Sequence, residues 1–386
     1  MTAGERSRKI RVVHYANNLG LGGTERTMEL FCRHLERDEF DVHAVSVRYQ
    51  PPQEISFRLR VAMLLNNQRA RTLREDGPHR NARIPLFQEI LGENLAVAES
   101  PSELRPIFER LRPDILHIHF VGAAPPLSDP QMLATARAVV TTNPFAMQPM
   151  AAGRSIDRFL FVSDWLLRER AQWAHGDSRA IVVPNPIAEP TAEDNLRAGL
   201  GIPPGAFVLG RIGRPDPAIY DSIALDAYRA IADDNAWFLS VAPPAEMTQA
   251  AKRAGLKRFV ALPPSADWEW LSRFYSTLDV FAHTRRDGET FGCAIAEAMI
   301  HGVPVISHRS EKMNAQIETI GQGGKVVEQG DVRGYAEAIV ALRNDPDLRR
   351  SMGETARQRA RTEFGAAKVT RQLEAIYRAL VSAPPK

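Results

Sequence analysis

The sequence predicts an α/β protein made of two doubly wound, Rossmann-like domains in tandem. Short β-rich runs alternate with longer helical patterns, as they do in parallel sheets covered by helices. The length of 386 residues exceeds what one ordinary hydrophobic core organises. A proline-broken stretch, "AIVVPNPIAEP" at 180–190, divides the alternation into two series. We therefore expect the first domain to span 1–186 and the second to begin at 187.

The first series opens with a strand at 9–16 and a helix at 24–36. An Arg-rich stretch at 51–100 resists assignment, apart from a helix near 85–92. The other strands of this series are expected at 41–47, 114–120, 138–143, 158–163 and within 180–190.

The second series has the same alternation. Its strands are expected at 207–213, 237–242, 258–263, 279–284, 302–308 and, as a short strand or hairpin piece, 323–330. The end of the chain has a helical pattern with a bend at Phe364–Gly365, because glycine interrupts it. We expect the two domains to face a cleft, where the carboxyl ends of strands meet the amino ends of helices.

The composition excludes several classes of protein. With 44% hydrophobic and 25% charged residues, the chain resembles a soluble globular protein, and no apolar run approaches the roughly 18 residues of a membrane helix. The first residues lead into a strand without a signal-peptide core, so we expect a cytoplasmic location. Cys32 and Cys293 are the only cysteines, which excludes a disulfide framework and a cysteine zinc site.

The charge balance is mildly basic, with a formal net charge of +3. This suits phosphorylated small molecules, or at most a peripheral contact with an anionic membrane surface. No basic stripe interleaved with aromatic residues is present, so we do not expect a nucleic-acid partner. No Asp-x-Asp pair ends a strand, and no metal site is predicted.

The stretch "ETFGCAIAEAM" carries two carboxylates eight positions apart. Glu289 falls in a strand-to-helix loop, while Glu297 lies about a turn and a half into the following helix. Carboxylates accept hydrogen bonds well from paired sugar hydroxyls. The alternative is a charge that favours the helix dipole together with an incidental surface glutamate.

The helix start between these glutamates is a candidate anion site. Backbone N–H groups at Phe291, Gly292 and Cys293 would crown it, and the helix dipole adds to their effect. Glycine at 292 would let a ligand approach the backbone closely. A phosphate flanked by two hydroxyl-binding carboxylates describes a nucleotide-sugar.

The stretch "GETFGCAIAEAMIHGVPVI", with its Glu-x7-Glu spacing, resembles the signature of family-4 glycosyltransferases, which are retaining enzymes of the GT-B fold. Other segments agree in order: "GLGGTERTMELFCRHL", "PDILHIHF", "VVPNPI", "LGRIGRPDP" and "LDVFAHTRRDGETFG". The resemblance covers nearly the whole chain except 51–100.

The resemblance implies roles for particular residues of the second domain. Glu289 would hold hydroxyls of the donor sugar, and Glu297 the ribose of the nucleotide. Arg211 would neutralise the diphosphate leaving group, which gains negative charge in the transition state; Arg214 is a second candidate. The backbone amides of the loop would cradle the distal phosphate: Thr290, Phe291, Gly292 and Cys293.

In the first domain, the resemblance places Gly22 and Gly23 close to the donor phosphate across the cleft. A dinucleotide site is the rival interpretation of this turn. It does not fit, because Glu25 occupies the last glycine position of G-x-G-x-x-G. A dinucleotide-dependent oxidoreductase is therefore disfavoured.

Acceptor-side residues follow from the resemblance in the same way. His119 would line the acceptor pocket, whereas His117, deeper in the same strand, is expected to be a core histidine. Many members have His where this chain has Asn143, beside the transferred sugar. Members with a similar "GRIGRPDPA" stretch usually continue with Lys, a second phosphate-binding cation, where this chain has Ile219.

The implied function is that of a metal-independent retaining glycosyltransferase of the hexosyltransferase class, without a cofactor other than its nucleotide-sugar substrate. The acceptor hydroxyl would attack on the face from which the phosphate leaves, with that phosphate as base, so no nucleophilic side chain is expected. The first domain would bind the unidentified hydroxyl acceptor, 187–365 would bind the donor, and 366–386 would cross back to the first domain.

Two alternatives stay open. Ile219 and Asn143 are compatible with a nucleotide-sugar-binding protein of the same fold that lacks transferase activity. A nucleotide-sugar epimerase or hydrolase on the GT-B scaffold is the other. Neither the donor nucleotide nor the acceptor is readable from the sequence.

Overall fold

The computed structural model describes residues 8–50, 79–119, 125–148 and 156–383. They divide into two compact units. The first contains the chain up to Tyr49, Arg80–Pro186 and the residues from Ala366 onward, and the second is built on Ile187–Gly365. Among the described residues, no helix combines the length and the apolar character that crossing a bilayer requires.

The first unit contains a parallel sheet of seven strands in the order β3-β2-β1-β4-β5-β6-β7. Its strands are β1 Ile10–Ala16, β2 Phe40–Val47, β3 Leu95–Ala98, β4 Ile115–His119, β5 Ala138–Thr142, β6 Arg158–Phe161 and β7 Ala180–Val182. Its helices are α1 Gly23–His34, α2 Ile84–Leu91, α3 Leu104–Leu111, α4 Pro125–Ser128, α5 Pro130–Ala134 and, at the end of the chain, α13 Ala366–Ser382.

Helices cover the central strands of this sheet, which explains why these strands consist mostly of apolar residues. On one face, α1 places Phe31 and Cys32 in the core, and α13 adds Leu373 and Tyr377. They pack among strand residues such as Val12. The last helix of the chain is therefore part of the hydrophobic core of the first unit.

The second unit contains a parallel sheet of six strands in the order β10-β9-β8-β11-β12-β13. Its strands are β8 Phe207–Ile212, β9 Ala236–Val241, β10 Phe259–Leu262, β11 Val280–Ala282, β12 Val305–His308 and β13 Gly324–Val327. Its helices are α6 Ile223–Ile231, α7 Ala245–Arg253, α8 Trp268–Thr277, α9 Cys293–Ile300, α10 Ala315–Ile320, α11 Val332–Asn344 and α12 Pro346–Arg359.

These strand orders confirm the predicted doubly wound class. In each sheet the chain moves outward from a central strand and then reverses, between β1 and β4 in the first unit and between β8 and β11 in the second. Ligands of such sheets bind beyond the carboxyl ends of the strands at this switch point. In the second unit, a ligand is therefore expected beside the segments that follow β8 and β11.

Several elements differ from the sequence prediction. Strand β3 and helix α3 were not anticipated; β3 is a short, half-exposed edge strand without clear periodicity. Strand β12 begins at Val305 and not at 302, because the proline at 304 has no N–H for the ladder. The predicted bend is present: α12 is followed by a wide turn over Ala360–Phe364, and α13 begins after an extended Gly365. Most of 51–100 lies outside the described residues.

Candidate functional site

The segments that leave β8 and β11 bring together the charged residues singled out in the second unit. Arg211 lies near the end of β8, and Glu289 lies in the loop between β11 and α9. Because β8 and β11 are hydrogen-bonded neighbours at the switch point, their carboxyl ends converge.

Arg211 is a buried cation without a carboxylate partner among the described residues. Its side chain is 3% exposed, and its Nε donates to Thr284 Oγ1 over 3.1 Å. Its Nη1 is buried and makes no hydrogen bond to any described residue. Burial, with a smaller contribution from the charge of Arg285, lowers the pKa of Arg211 to about 10 against the opposing influence of Tyr220 and Tyr335. A buried guanidinium with an unused donor is suited to receiving an anion.

Glu289 is held between cationic and neutral donors. Its Oε1 lies 3.4 Å from His283 Nε2 and 3.6 Å from Arg285 Nη1, and its backbone N–H donates to Gln316 Oε1 over 3.0 Å. Burial raises the pKa of the Glu289 carboxyl, but Arg285, His283 and Arg214 together outweigh burial and bring the pKa below its ordinary value. The carboxyl is therefore ionised at neutral pH and can accept hydrogen bonds from hydroxyls.

His283 is a site residue that sequence reasoning missed. Its Nδ1 lies 2.8 Å from Ser307 Oγ, and its Nε2 faces Glu289. Burial lowers the pKa of His283, partly offset by Glu289, so the imidazole is neutral at neutral pH. The hydrogen-bond network then assigns the proton to Nε2, with Ser307 donating to Nδ1. A histidine directly after a buried strand and six residues before Glu289 was the available signal.

The loop that leads into α9 depends on two glycines with positive φ. Gly288 has φ +67°, and a Cβ there would overlap the backbone carbonyl of Met313. Gly292 has φ +97°, and a Cβ there would lie 2.8 Å from Ile295 Cδ1. Only glycine adopts these conformations freely.

The residues between the two glycines set the start of α9. The helix begins at Cys293, and the amides of its first turn have no intrahelical acceptor, as at any helix start. Phe291 is 2% exposed, its carbonyl accepts from Thr319 Oγ1 over 2.6 Å, and its ring packs against Phe364. The Phe291 side chain therefore anchors the loop, and phosphate binding by the loop backbone, including that of Thr290, stays a prediction.

Glu297 is held by a neutral hydroxyl. Tyr275 donates to its Oε2 over 2.8 Å, and Glu297 itself is 9% exposed. One turn on, His301 donates from Nδ1 to the Glu297 carbonyl over 2.7 Å, and its Nε2 lies 2.8 Å from Ser272 Oγ. Burial lowers the pKa of His301 to about 4, with a smaller opposing contribution from Glu297, so this support is neutral as well.

The two remaining candidates of this unit, Arg214 and Ile219, lie in the segment after β8. Arg214 is exposed, although its charge contributes to the lowered pKa of Glu289. Ile219 is half-buried, and its carbonyl accepts from the backbone N–H of Arg286 over 2.9 Å. The position where a lysine was expected is thus hydrogen-bonded to the loop that carries Glu289.

In the first unit, three buried histidines converge at the β1–β4 switch point. His14 Nδ1 lies 2.9 Å from His119 Nε2, while His117 contacts Tyr377 Oη at 2.6 Å and Thr142 Oγ1 at 2.7 Å. All three imidazoles are fully buried, and burial lowers the pKa of each. His117 is a satisfied core histidine, as expected. His119 has no exposed surface, and its contact with an acceptor stays a prediction.

The sequence indicated no metal site, yet these histidines form a group with metal-ligating atoms within 4.8 Å of one another. Two observations favour packed neutral rings over a metal centre. His117 uses both ring nitrogens in hydrogen bonds, and the facing nitrogens of His14 and His119 lie at hydrogen-bonding distance from each other. His14 Nε2 and His119 Nδ1 make no hydrogen bond to any described residue.

The side chain of Asn143 bridges the loop between Asn143 and Met147. Its Nδ2 donates to the Met147 carbonyl over 2.5 Å, and its Oδ1 accepts from the Met147 N–H over 3.1 Å. The carboxamide is 1% exposed. A contact with a sugar would have to compete with these two bonds, and it stays a prediction.

The glycine-rich turn precedes α1. Gly22 is the residue before the helix, and a Cβ there would displace the flexible Glu25 carboxylate. Gly23 is exposed at the helix start. Phosphate binding by either glycine stays a prediction, as do the roles of the residues in the second unit.

Two family models match the chain. The model of the glycosyl transferases group 1 matches residues 193–359, and the model of Glycosyltransferase Family 4 matches residues 21–189. Together they cover most of both units.

Curated relatives match parts of the chain. The D-inositol 3-phosphate glycosyltransferase of Corynebacterium urealyticum is 28% identical over 205 residues, 50% of this chain and 48% of that protein. The capsular polysaccharide biosynthesis glycosyltransferase CapM of Staphylococcus aureus is 36% identical over 107 residues, 27% of either chain. The chain thus spans about half the length of the curated relatives it matches, or less.

Solved structures match over nearly the whole chain. HepE of Anabaena, solved with UDP and glucose, has a TM-score of 0.69 at 16% identity and covers 96% of this chain and 100% of its own. Sucrose-phosphate synthase of Thermosynechococcus elongatus has a TM-score of 0.67 at 16% identity, over 97% of this chain and 100% of its own. At these identities the likeness shows the fold. Since each family model matches one of the two sheets, the chain belongs to the group 1, family 4 glycosyltransferases and has the GT-B fold.

Proposed function

We propose that the chain is a retaining glycosyltransferase that moves a sugar from a nucleoside-diphosphate sugar to an acceptor hydroxyl. The observation that carries this proposal is Arg211, a buried guanidinium with an unused donor at the switch point of the second sheet. Glu289 lies at the same switch point, and α9 begins four residues further on. A diphosphate supplies the charge and the acceptor oxygens that this group of residues is missing.

In this proposal, different residues of the second unit bind different parts of the donor. Arg211 and the amides of Thr290 to Cys293 bind the diphosphate, with Arg214 nearby. Glu289 holds hydroxyls of the transferred sugar, and Glu297 holds the ribose. The interactions with the diphosphate strengthen as the sugar–phosphate bond breaks, because negative charge accumulates on the departing oxygen.

The chemistry requires no protein nucleophile. The acceptor oxygen forms a bond to the anomeric carbon on the face from which the phosphate leaves. The bond from that carbon to the phosphate oxygen breaks, its electron pair stays with the phosphate, and the acceptor proton moves to the same phosphate. Glu289 is then a positioning group, consistent with its lowered pKa and its fixed environment.

UDP-sugars are the donors to test first, because HepE of Anabaena, which shares the fold, has been solved with UDP-glucose. The acceptor is proposed to bind the first unit near His119 and Asn143, while Gly22 and Gly23 are proposed to lie close to the donor phosphate. Several curated relatives act on small anionic acceptors by name, such as D-inositol 3-phosphate and L-malate, so acceptors of this kind come first.

A second candidate function is nucleotide-sugar binding without transfer. Asn143 favours it, because both ends of its amide are engaged with Met147. The absence of a lysine at Ile219 favours it as well.

The experiment is a thermal-shift panel of UDP-, GDP-, ADP- and dTDP-sugars on the wild type and on Arg211→Ala, followed by turnover assays with the donor that binds. Stabilisation by one nucleotide class that is lost in Arg211→Ala, with turnover, supports the transferase. Binding without turnover on any acceptor supports the binding protein. No response to any donor would refute both. Arg286→Ala is the matched control, since it removes an exposed guanidinium from the same unit.

A further inference from the structure

A second arginine near Arg211 also has a buried guanidinium nitrogen without a hydrogen-bond partner among the described residues. Arg285 follows β11, and its side chain is 19% exposed. Its Nε is buried and makes no hydrogen bond to any described residue. Arg211 Nε donates to the side chain of Thr284 over 3.1 Å, and Thr284 directly precedes Arg285. The fold therefore places two guanidinium groups close together, each with an unused donor.

The backbone of Arg285 is fixed on both sides. Its N–H donates to His308 Nε2 over 3.3 Å, and its carbonyl accepts from the Gly288 N–H over 2.9 Å. The side chain therefore starts from a defined position, and placing its guanidinium on a ligand costs little backbone ordering.

The counter-ion of Arg285 is incomplete. Glu289 is the carboxylate that contacts it among the described residues, and the distance from Nη1 to Oε1 is 3.6 Å, longer than a charge-assisted hydrogen bond. Arg211 makes no ion pair with a described carboxylate: its Nε donates to Thr284, and its Nη1 makes no hydrogen bond to any described residue. Together, the guanidinium groups of Arg211 and Arg285 and the single carboxylate of Glu289 therefore carry a net positive charge, which a bound anion would neutralise.

The neighbouring backbone connects Arg285 to the position of the missing lysine. The N–H of Arg286, the next residue, donates to the carbonyl of Ile219 over 2.9 Å. The segment after β8 and the loop after β11 are therefore hydrogen-bonded at this point. A cation at position 285 and a cation at position 219 would therefore be carried by two neighbouring, hydrogen-bonded loop segments.

We propose that Arg285 is the second diphosphate-binding cation of the donor site, in the place that the residue at 219 leaves unfilled. This inference rests on the proposed function and assigns a further residue to the same site. Arg285 and Arg211 would each donate to phosphate oxygens, and Arg285 would at the same time offset the charge of Glu289 beside the phosphate.

The test is calorimetric titration of UDP and of UMP into the wild type, Arg285→Ala and the control Arg286→Ala, with GDP, ADP and dTDP used if UDP does not bind. Arg285→Ala should bind UDP about 10- to 100-fold more weakly, which is the value of one charged hydrogen bond. UMP, which lacks the second phosphate, should lose less. Arg286→Ala removes the same charge from an exposed neighbour and should stay within about twofold of the wild type.

A rescue variant makes the test specific. Ile219→Lys in the Arg285→Ala background should recover much of the lost UDP affinity, because the new cation emerges beside the missing one. Lack of rescue would contradict the proposed equivalence of the two positions.

The outcomes separate this inference from the proposed function. If the wild type binds UDP and Arg285→Ala binds it equally well, the inference fails while the donor site stands. A loss of turnover without a loss of UDP affinity would make Arg285 a support for Glu289 only and would also overturn the inference. If the wild type binds none of the four nucleoside diphosphates, the proposed function fails and the inference fails with it.

Discussion

Replacement of Arg211 by methionine should stabilise the ligand-free protein while abolishing its response to nucleotide. Methionine retains much of the side-chain volume and removes the buried charge. In the ligand-free protein that charge is uncompensated by any described carboxylate, so its removal should relieve a cost of folding.

The pKa of Arg211 sets the magnitude. Burial lowers it to about 10, more than two pH units below the ordinary value for a guanidinium, and each pH unit corresponds to about 1.36 kcal/mol. The buried charge therefore costs on the order of 3 kcal/mol of folding free energy. Because the folded pKa lies below the unfolded one, this cost is fully present at pH 7 and decreases only as the pH rises through 10.

Two losses reduce the gain. Methionine leaves Thr284 Oγ1 without the Arg211 donor and removes the contact of the guanidinium with the Tyr220 ring, 5.7 Å from its centroid. These interactions are worth about 1 kcal/mol each. The net stabilisation expected for Arg211→Met is therefore about 1 kcal/mol.

Urea unfolding at pH 7, with and without UDP, measures both effects. UDP at about 100 times its dissociation constant should stabilise the wild type by about 2.7 kcal/mol and the variant by nothing. Arg286→Met, which removes an exposed charge, should change stability by less than about 0.5 kcal/mol. A less stable Arg211→Met protein would refute the reasoning, since it would mean that the charge is compensated in the ligand-free state.

Five further substitutions test the site and the core. Glu289→Ala should lower turnover about 100-fold and leave UDP affinity equal or higher, because a negative charge beside the phosphate is removed; unchanged turnover would exclude the positioning role. Glu297→Ala should weaken nucleotide binding about tenfold at unchanged kcat, and Tyr275→Phe should do so partially, whereas equal dissociation constants would remove both from the ribose site. Gly288→Ala forces φ +67° on a residue with a Cβ that overlaps the Met313 carbonyl, so kcat/KM should fall at least about tenfold, and full activity would contradict the required loop geometry. Burial, aided by the charge of Arg37, lowers the pKa of His14 to about 3, so the unfolded chain binds its proton first on acidification. His14→Phe should therefore reduce the pH dependence of unfolding free energy between pH 6 and 4 by about 1.4 kcal/mol per pH unit, and an unchanged slope would show that His14 is charged in the folded state.

The sequence predicted the sheets well where apolar runs are bounded by turns. Strand β8, with its run "FVLG", and strand β4, with "ILHIH", are central and buried, so composition alone distinguishes them. Strand β3, "LAVA", is an edge strand with half-exposed residues, and its pairing with β2 depends on tertiary contacts that no local pattern records.

The family resemblance singles out the two glutamates and Arg211 from the sequence, and their roles stay predictions. The side chains that hold the two glutamates in place were not predicted. His283, Ser307 and Tyr275 come from three different elements, and the hydrogen bonds that connect them to the glutamates exist only once the sheet has formed. Arg285 escaped notice for a related reason, since in sequence it is one of two adjacent arginines and only burial distinguishes it from its exposed neighbour.

Glu289 and Glu297 have different hydrogen-bond and ion-pair partners, and this difference bears on how two carboxylates can lie around a ligand that carries phosphates. A carboxylate next to a diphosphate repels it, and the repulsion is strong where the site is buried. Glu289, four residues before α9, lies beside the cation Arg285 and the donor His283, which offset its charge, whereas Glu297, inside the helix, is held by the neutral hydroxyl of Tyr275. Such an arrangement is needed if Glu289 lies beside the phosphates and Glu297 beside the uncharged ribose. The proposed order of the two roles along the donor therefore agrees with the cationic support of Glu289 as well as with the family resemblance.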